Sequence, residues 1–334
     1  MNPLQHRYRR LCERFGRRRV LWVGTLLLIA LASLSIRLLI FTGLDHSALL
    51  YVLVPYGCAL LIATLRPMQP GTRWWRGYLD FSLTSLVVFL GSSVVLYEGF
   101  VCVAIFLPIY FAVVTLAFVS RWLTEVYRNH KAGRMAALLP ALMLVASVEG
   151  VVTGTSFPRE ETITVQRTIA LPAVQVIERL RQPVDLDQPR HWLLTLFPAP
   201  EPLPAQRFEA GAIHAVQIVY PRWFFTNVHR GTLRLQIDSV GARHTRTRVL
   251  SDTTLFGNYM TLHGTDIAVQ TTHDQHSQVS MTVRYHRKLD PSWYFGPLMR
   301  FGVARMAEFL IEAMVVRKAP ESAFQTQELP HEQI

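Results

Sequence analysis

Apolar residues are spread unevenly along the 334-residue chain. Before Thr153 they gather into five long runs almost free of charge: Val20 to Ile36, Ser47 to Leu65, Phe81 to Tyr97, Phe100 to Ser120 and Ala136 to Val148. A hydrocarbon core of about 30 Å takes about 20 helical residues, and lipid leaves a helix as the way to satisfy backbone polar groups. The pattern therefore predicts an all-α membrane bundle over residues 20–152, with spans near 20–41, 47–65, 78–97, 100–120 and 135–152. Arg37 and Glu149 interrupt the first and last runs near one end, where tilt or snorkelling accommodates a charge. Pro55 and Pro108 fall inside the second and fourth runs and predict kinks there.

The period changes after a linker containing Gly154 and Pro158. Residues 161–170 alternate β-branched and polar positions as a strand does, and Pro172 to Arg181 places Val174, Ile177 and Leu180 at helical spacing. His191 to Phe197 reads as a second short helix, stopped by the proline-rich run that begins at Phe197. From Phe208 to Arg287 short strand-like runs follow one another: 212–220, 223–228, 232–240, 246–250, 258–262, 266–270 and 279–286. Such a series predicts a curved antiparallel sheet. Asp290-Pro291-Ser292 then starts a helix reaching about Val316, with a broad apolar face through Phe295, Met299, Val303, Met306 and Leu310. Four charges in this window argue against a sixth span, and 319–334 reads as a disordered polar tail.

The net charge of +11 suggests nucleic acid until it is divided. Residues 1–153 carry 15 Lys and Arg against 6 Asp and Glu, whereas the remainder carries 19 against 17. The excess lies in the basic segment 1–19 and in the clusters Arg66 to Arg76 and Arg121 to Arg134, and the turns between carry none. This bias predicts a cytoplasmic N-terminus and an outer placement for the second domain, across a cytoplasmic (inner) membrane of bacterial type. No nucleic-acid partner is implied. Read as a signal peptide, the first run would be too long and is followed by further spans. On the same topology Arg37, Glu98 and Glu149 approach the outer boundary, so a pairing of Arg37 with Glu149 or Glu98 is expected. The three cysteines lie at Cys12, Cys58 and Cys102, leaving the second domain without a disulfide or a Cys-based zinc site.

Strand, two short helices, antiparallel sheet and long C-terminal helix is the order of a helix-grip α+β domain. Residues 160–318 resemble the START-like (SRPBCC) superfamily, in its polyketide cyclase/dehydrase and lipid-transport branch. The resemblance rests on ITVQRTIALPAVQVIERL, FPAPEP, VSMTVRYHRKLDPSWYFGPLMR and the apolar helix after them. It covers a little under half of the chain and implies a sheet wrapped around the last helix, with a cavity for an apolar ligand. The expected partners are membrane lipids and an apolar small molecule, lipid-like by proximity to the outer leaflet. The expected ligand contacts are Phe208, Trp223 and Phe225 from the sheet region and Phe295, Met299, Val303 and Met306 from the helix.

Other constellations carry less chemistry. His263, His273, Asp274 and His276 include zinc-ligand types, but 271–278 reads as a polar loop between strands, so no metal or other cofactor is assigned. There is no nucleophile elbow, phosphate loop or HExxH pattern, and no catalytic residue is assigned. Arg243, His244, Arg246 and Arg248 form a basic strand suited to anionic head groups or to plain solvation. Two alternatives stay open: an envelope protein-interaction module without ligand, and a cyclase-like enzyme acting on an apolar substrate.

Overall fold

The computed structural model describes residues 13, 17–44, 46–65, 73–95, 100–126, 133–152, 154–182, 184, 186, 190–197, 200–202, 209–223, 226–273 and 276–316. Contacts divide the chain into two compact units. One comprises Met1–Arg159, Pro221–Val228 and Arg287–Leu298, the other Glu160–Tyr220, His229–His286 and Met299–Ile334.

The first unit is helical: α1 (Arg17–Phe41), α2 (Val54–Leu65), α3 (Trp74–Val95), α4 (Phe100–Val126) and α5 (Gly133–Ala146). Among the described residues three segments are long and apolar enough to cross a membrane, Val20–Phe41, Trp74–Val95 and Cys102–Thr124. Of the five expected spans, the second and fifth are shorter helices among the described residues. The second opens with a π-helical turn, Leu49–Leu53, whose wider loop is closed by Val54 N–H on Leu49 O. Pro55, which follows, has no N–H to restore the α pattern. The apolar helical stretch is Leu49–Ala63. The fifth run ends at Ala146, where the Ser147 hydroxyl turns back onto Met143 O and Leu144 O at 2.6 and 2.9 Å. Gly150, with φ +81°, then takes a left-handed conformation that favours glycine. At a rise of about 1.5 Å per residue, the 14 described residues of α5 cover about 21 Å.

The ion pair expected between Arg37 and Glu149 is not formed. Among the described residues the Glu149 carboxylate accepts the Ser292 backbone N–H at 3.0 Å, while Glu149 O accepts Ala48 N–H at 2.9 Å. A carboxylate at a helix N-terminus is favoured by the unpaired N–H groups there, which gives the buried Glu149 a nearer partner than Arg37. Glu98 lies outside the described residues.

The second unit is built on one seven-stranded sheet in the order β1-β7-β6-β5-β4-β3-β2. Its strands are β1 (Glu160–Ile169), β2 (Pro200–Pro202), β3 (Ile213–Trp223), β4 (Thr226–Val240), β5 (His244–Asp252), β6 (Met260–His273) and β7 (His276–Arg287). Strands β2 to β7 form a meander, and β1 returns to pair antiparallel with β7, matching Ile163 to Val283 and Val165 to Met281. Helices α6 (Ala173–Leu180) and α7 (Trp192–Thr195) lie between β1 and β2 in the chain. The last helix, α8 (Ser292–Ile311), continues as a π-helical turn, Glu312–Val316. This arrangement fits the helix-grip fold expected from the sequence.

Two strands are longer than the sequence pattern predicts. The runs 223–228 and 232–240 largely merge in β4, and 258–262 and 266–270 largely merge in β6. Gly231 and Gly264 resemble turn signals, but a Cβ at Gly264 would collide with Thr247 O, and one at Gly231 with Thr253 O and Thr254 Cα. Glycine inside a strand marks a close backbone approach here rather than a break. Register shifts in β4, between Arg234 and Leu235 and between Ile237 and Ser239, are the bulges that bend such a sheet. The short β2 uses the proline-rich run as an edge strand, a place where proline's missing N–H is tolerated.

Candidate functional site

The inner face of the sheet is set by the alternation of β7. Ser277, Val279, Met281, Val283, Tyr285 and Arg287 are buried, while the residues between them are more exposed. Val279, Met281, Val283 and Tyr285 form one core with Ile169, Val176, Leu180, Ile267 and Val269, and with Ala307, Ile311, Met314 and Val315 from α8 and the turn after it. Leu186, Leu194, Phe309 and Ala313 make a smaller adjoining cluster. Ala307, Phe309 and Ile311, near the end of α8, are thus buried.

Other positions of α8 are less closed. Met299 and Val303 are only partly buried against the larger core, and Met306 against the smaller one. These three expected contact residues lie at i, i+4 and i+7 and so share one stripe of α8. Phe295 is placed differently from the expectation. It belongs to the helical unit, fully buried, with its ring centroid 4.9 Å from Tyr51 and 5.7 Å from Phe106. Two aromatic neighbours in that unit offer more contact area than an open cavity wall. Phe208 and Phe225 lie outside the described residues, as does the side chain of Trp223.

Two ion pairs, not anticipated from sequence, fix α8 along β1. Arg300 Nη1 lies 3.0 Å from Glu161 Oε1, and Arg167 Nη2 lies 3.2 Å from Glu312 Oε1. Twelve helical residues rise about 18 Å and six strand residues about 20 Å, so helix and strand run alongside each other in one direction. The only available signal was an inward-facing charge at alternate positions of an otherwise apolar strand face. Beneath α6 a small cavity of ≈ 10 Å³ lies among Ile177, Leu180, Val240, Ile267 and Val269. That is room for about one water molecule.

The polar candidates resolve into pairs. His263 Nε2 and His286 Nδ1 meet the Glu160 carboxylate at 3.2 and 2.7 Å. The His286 hydrogen bond is the main reason that the Glu160 carboxyl is held below its ordinary range. Among the described residues no group of three or more His, Cys, Asp or Glu side chains is placed to hold a metal. Asp274 and the side chain of His273 lie outside the description. On the basic strand β5, Arg246 Nε donates to Asp266 Oδ1 at 2.6 Å, raising the guanidinium's proton affinity. Asp266 also lies 3.6 Å from His244 and 3.1 Å from Arg284, and Arg248 lies 3.5 Å from Asp238. These carboxylates offset much of the positive charge of that strand.

No protein-family profile and no curated protein sequence matches the chain. Among solved structures it is similar to a truncated norcoclaurine synthase from Thalictrum flavum, at 16% identity over 48% of this chain and 96% of that one, with a TM-score of 0.32. It is similar to the Zhui aromatase/cyclase from Streptomyces sp. R1128 at 18% identity over 46% and 93%, with a TM-score of 0.29. The corresponding values for major latex-like protein 151 from Panax ginseng are 12%, 46%, 99% and 0.26.

Proposed function

We propose that the chain is a membrane-anchored helix-grip module that takes up an apolar or amphipathic, lipid-like ligand on the outer side of a cytoplasmic membrane. The observation that carries this reading is the partly buried stripe Met299, Val303 and Met306 on a helix that buries Ala307, Phe309 and Ile311 nearer its end. Apolar walls with a few polar groups are the usual form of a small-molecule site. Methionine side chains repack around irregular hydrocarbon at low cost. The three membrane-length helices supply the anchor, and the Lys/Arg bias of the first half supports an inward N-terminus.

The test is mass spectrometry of the full chain purified in nanodiscs, with extraction and identification of bound small molecules, in the wild type and in Met299→Glu and Val303→Asp. A stoichiometric apolar species in the wild type and its loss in both variants supports the reading. Identical lipid profiles in all three proteins count against it.

A protein-interaction role is the second reading. It is favoured by Trp192 and Phe301, 66% and 41% exposed, each within ring-contact distance of His191 at 5.5 and 5.9 Å. Exposed aromatic groups of this kind are frequent at interfaces. Trp192→Ala would then abolish a partner's binding without altering ligand retention.

A further inference from the structure

The helical unit contains an apolar cleft of ≈ 110 Å³, its wall including Ala32 of α1, Tyr51 of the π-helical turn, Cys58 of α2, Ser92 of α3, and Cys102 and Phe106 of α4. Three observations bear on what it takes. Its polar side chains are already engaged: the hydroxyls of Ser92 and Ser93 donate to Val88 O and Phe89 O at 2.8 and 3.0 Å, and Tyr110 donates to Ser85 O. The wall therefore presents hydrocarbon, and a cavity of this kind stays dry and takes apolar guests, as an engineered cavity of about 150 Å³ takes benzene.

The second observation is the origin of the gap. It opens where the second apolar run departs from α-helical geometry, at the π-helical turn Leu49–Leu53 and at Pro55, both part of the wall. π-helical turns of this sort recur at functional sites. Immediately beside it α1 and α3 touch closely, since a Cβ on Gly91 would lie 2.6 Å from Ile29 Cδ1. The bundle is thus tight next to the cleft, and the cleft is a local feature rather than general looseness. The third observation is position. The wall uses the C-terminal halves of α1 and α3 and the N-terminal half of α4, one end of three alternating membrane-length helices.

We infer that this cleft holds one acyl chain of a membrane phospholipid from that leaflet, as a site separate from the stripe on α8. The inference rests on the membrane placement of the helical unit but not on ligand uptake by the sheet unit. Fixed protein groups wall the cleft on several sides, whereas Leu83 and Leu27 lie exposed on α3 and α1.

The test is photo-crosslinking of the full chain in phosphatidylethanolamine and phosphatidylglycerol vesicles doped with a diazirine-tailed phosphatidylglycerol, with adducts mapped by peptide mass spectrometry. The expected result is enrichment of adducts on the peptides carrying Tyr51 to Cys58 and Cys102 to Phe106 over those carrying Leu27 and Leu83. In Ser92→Trp, and from the opposite wall in Ala32→Phe, that enrichment is lost while labelling at Leu27 and Leu83 stays. As a measurement free of core substitutions, alkylation of Cys58 and Cys102 in the wild type slows when phospholipid is returned to delipidated protein. Adducts spread evenly over all exposed helix faces would overturn the inference. So would enrichment with a diazirine fatty acid but not with the phospholipid, which indicates a free apolar ligand, or protein-to-protein adducts at these peptides, which indicate a second copy. Met299→Glu leaves the cleft pattern unchanged, so failure of the α8 site and failure of this one read differently.

Discussion

Arg287 donates from Nη1 to Asp290 Oδ1 at 2.9 Å, with both side chains fully buried. Asp290 also accepts from Arg159 and, at 3.2 Å, from the Ser156 hydroxyl, while its backbone N–H donates to His46 O at 2.8 Å. One carboxylate thereby ties the start of α8 to the segment after α5. Removing one partner of a buried pair leaves an uncompensated charge, a loss of about 3–5 kcal/mol. Asp290→Ala is expected to destabilise the full chain by that order in chemical denaturation. Arg287→Met combined with Asp290→Leu should cost less than Asp290→Ala alone, and an equal or larger cost would contradict this account of the pair.

The close approach at Gly264 gives a second expectation. Gly264→Val places side-chain atoms against Thr247 O, in the stretch where β5 and β6 pair through Thr247 and Thr265 and through Arg248 and Gly264. Overpacking of this type costs about 1–3 kcal/mol or more. Hydrogen exchange should show protection lost first at β5 and β6, while a matched substitution at Gly302, where a Cβ meets no atom within 4 Å, leaves β5 and β6 protected.

Glu160 provides the pH-dependent term. Its folded-state carboxyl is held below the ordinary value, chiefly by the His286 hydrogen bond. A lowered folded value means the contribution is fully present above the unfolded carboxylate value of about 4.3 and is lost as pH falls through the folded value. Glu160→Gln should flatten that part of the stability profile, removing the small contribution present at neutral pH and leaving stability at the acid end nearly unchanged. An unaltered acid limb would count against the pairing.

The pairs Arg300–Glu161 and Arg167–Glu312 have partly exposed partners, so each contributes about 0–1 kcal/mol. Their role is to set the direction of α8 along β1. Arg300→Ala should therefore change stability little, but reversing both charges in Arg300→Glu with Glu161→Arg should restore wild-type behaviour where Arg300→Glu alone does not.

Much of this architecture was legible because hydrophobic period reports burial directly. The strand β7 alternates without interruption from Ser277 to Tyr285, and α8 carries its apolar stripe at helical spacing, so both elements and the order of the grip domain followed from pattern. What pattern missed depended on contacts between distant residues. Gly231 and Gly264 carry turn-like chemistry, and only the neighbouring strand reveals that they are sites of close approach. Phe295 sits on the same apolar stripe as Met299, yet rings from Tyr51 and Phe106 enclose it in the other unit. Composition likewise gave five apolar runs, of which three are membrane-length helices among the described residues, and the π-helical turn Leu49–Leu53 in the second was not legible in the pattern.

The central claim is tested most directly by identifying what the full chain retains in nanodiscs made from a synthetic lipid absent from the expression host. Wild-type protein should carry one host-derived apolar molecule per chain, and Met299→Glu and Val303→Asp should carry none while keeping the wild-type circular dichroism spectrum. Recovery of the synthetic nanodisc lipid alone, equally from wild type and variants, would contradict ligand uptake by the helix-grip unit.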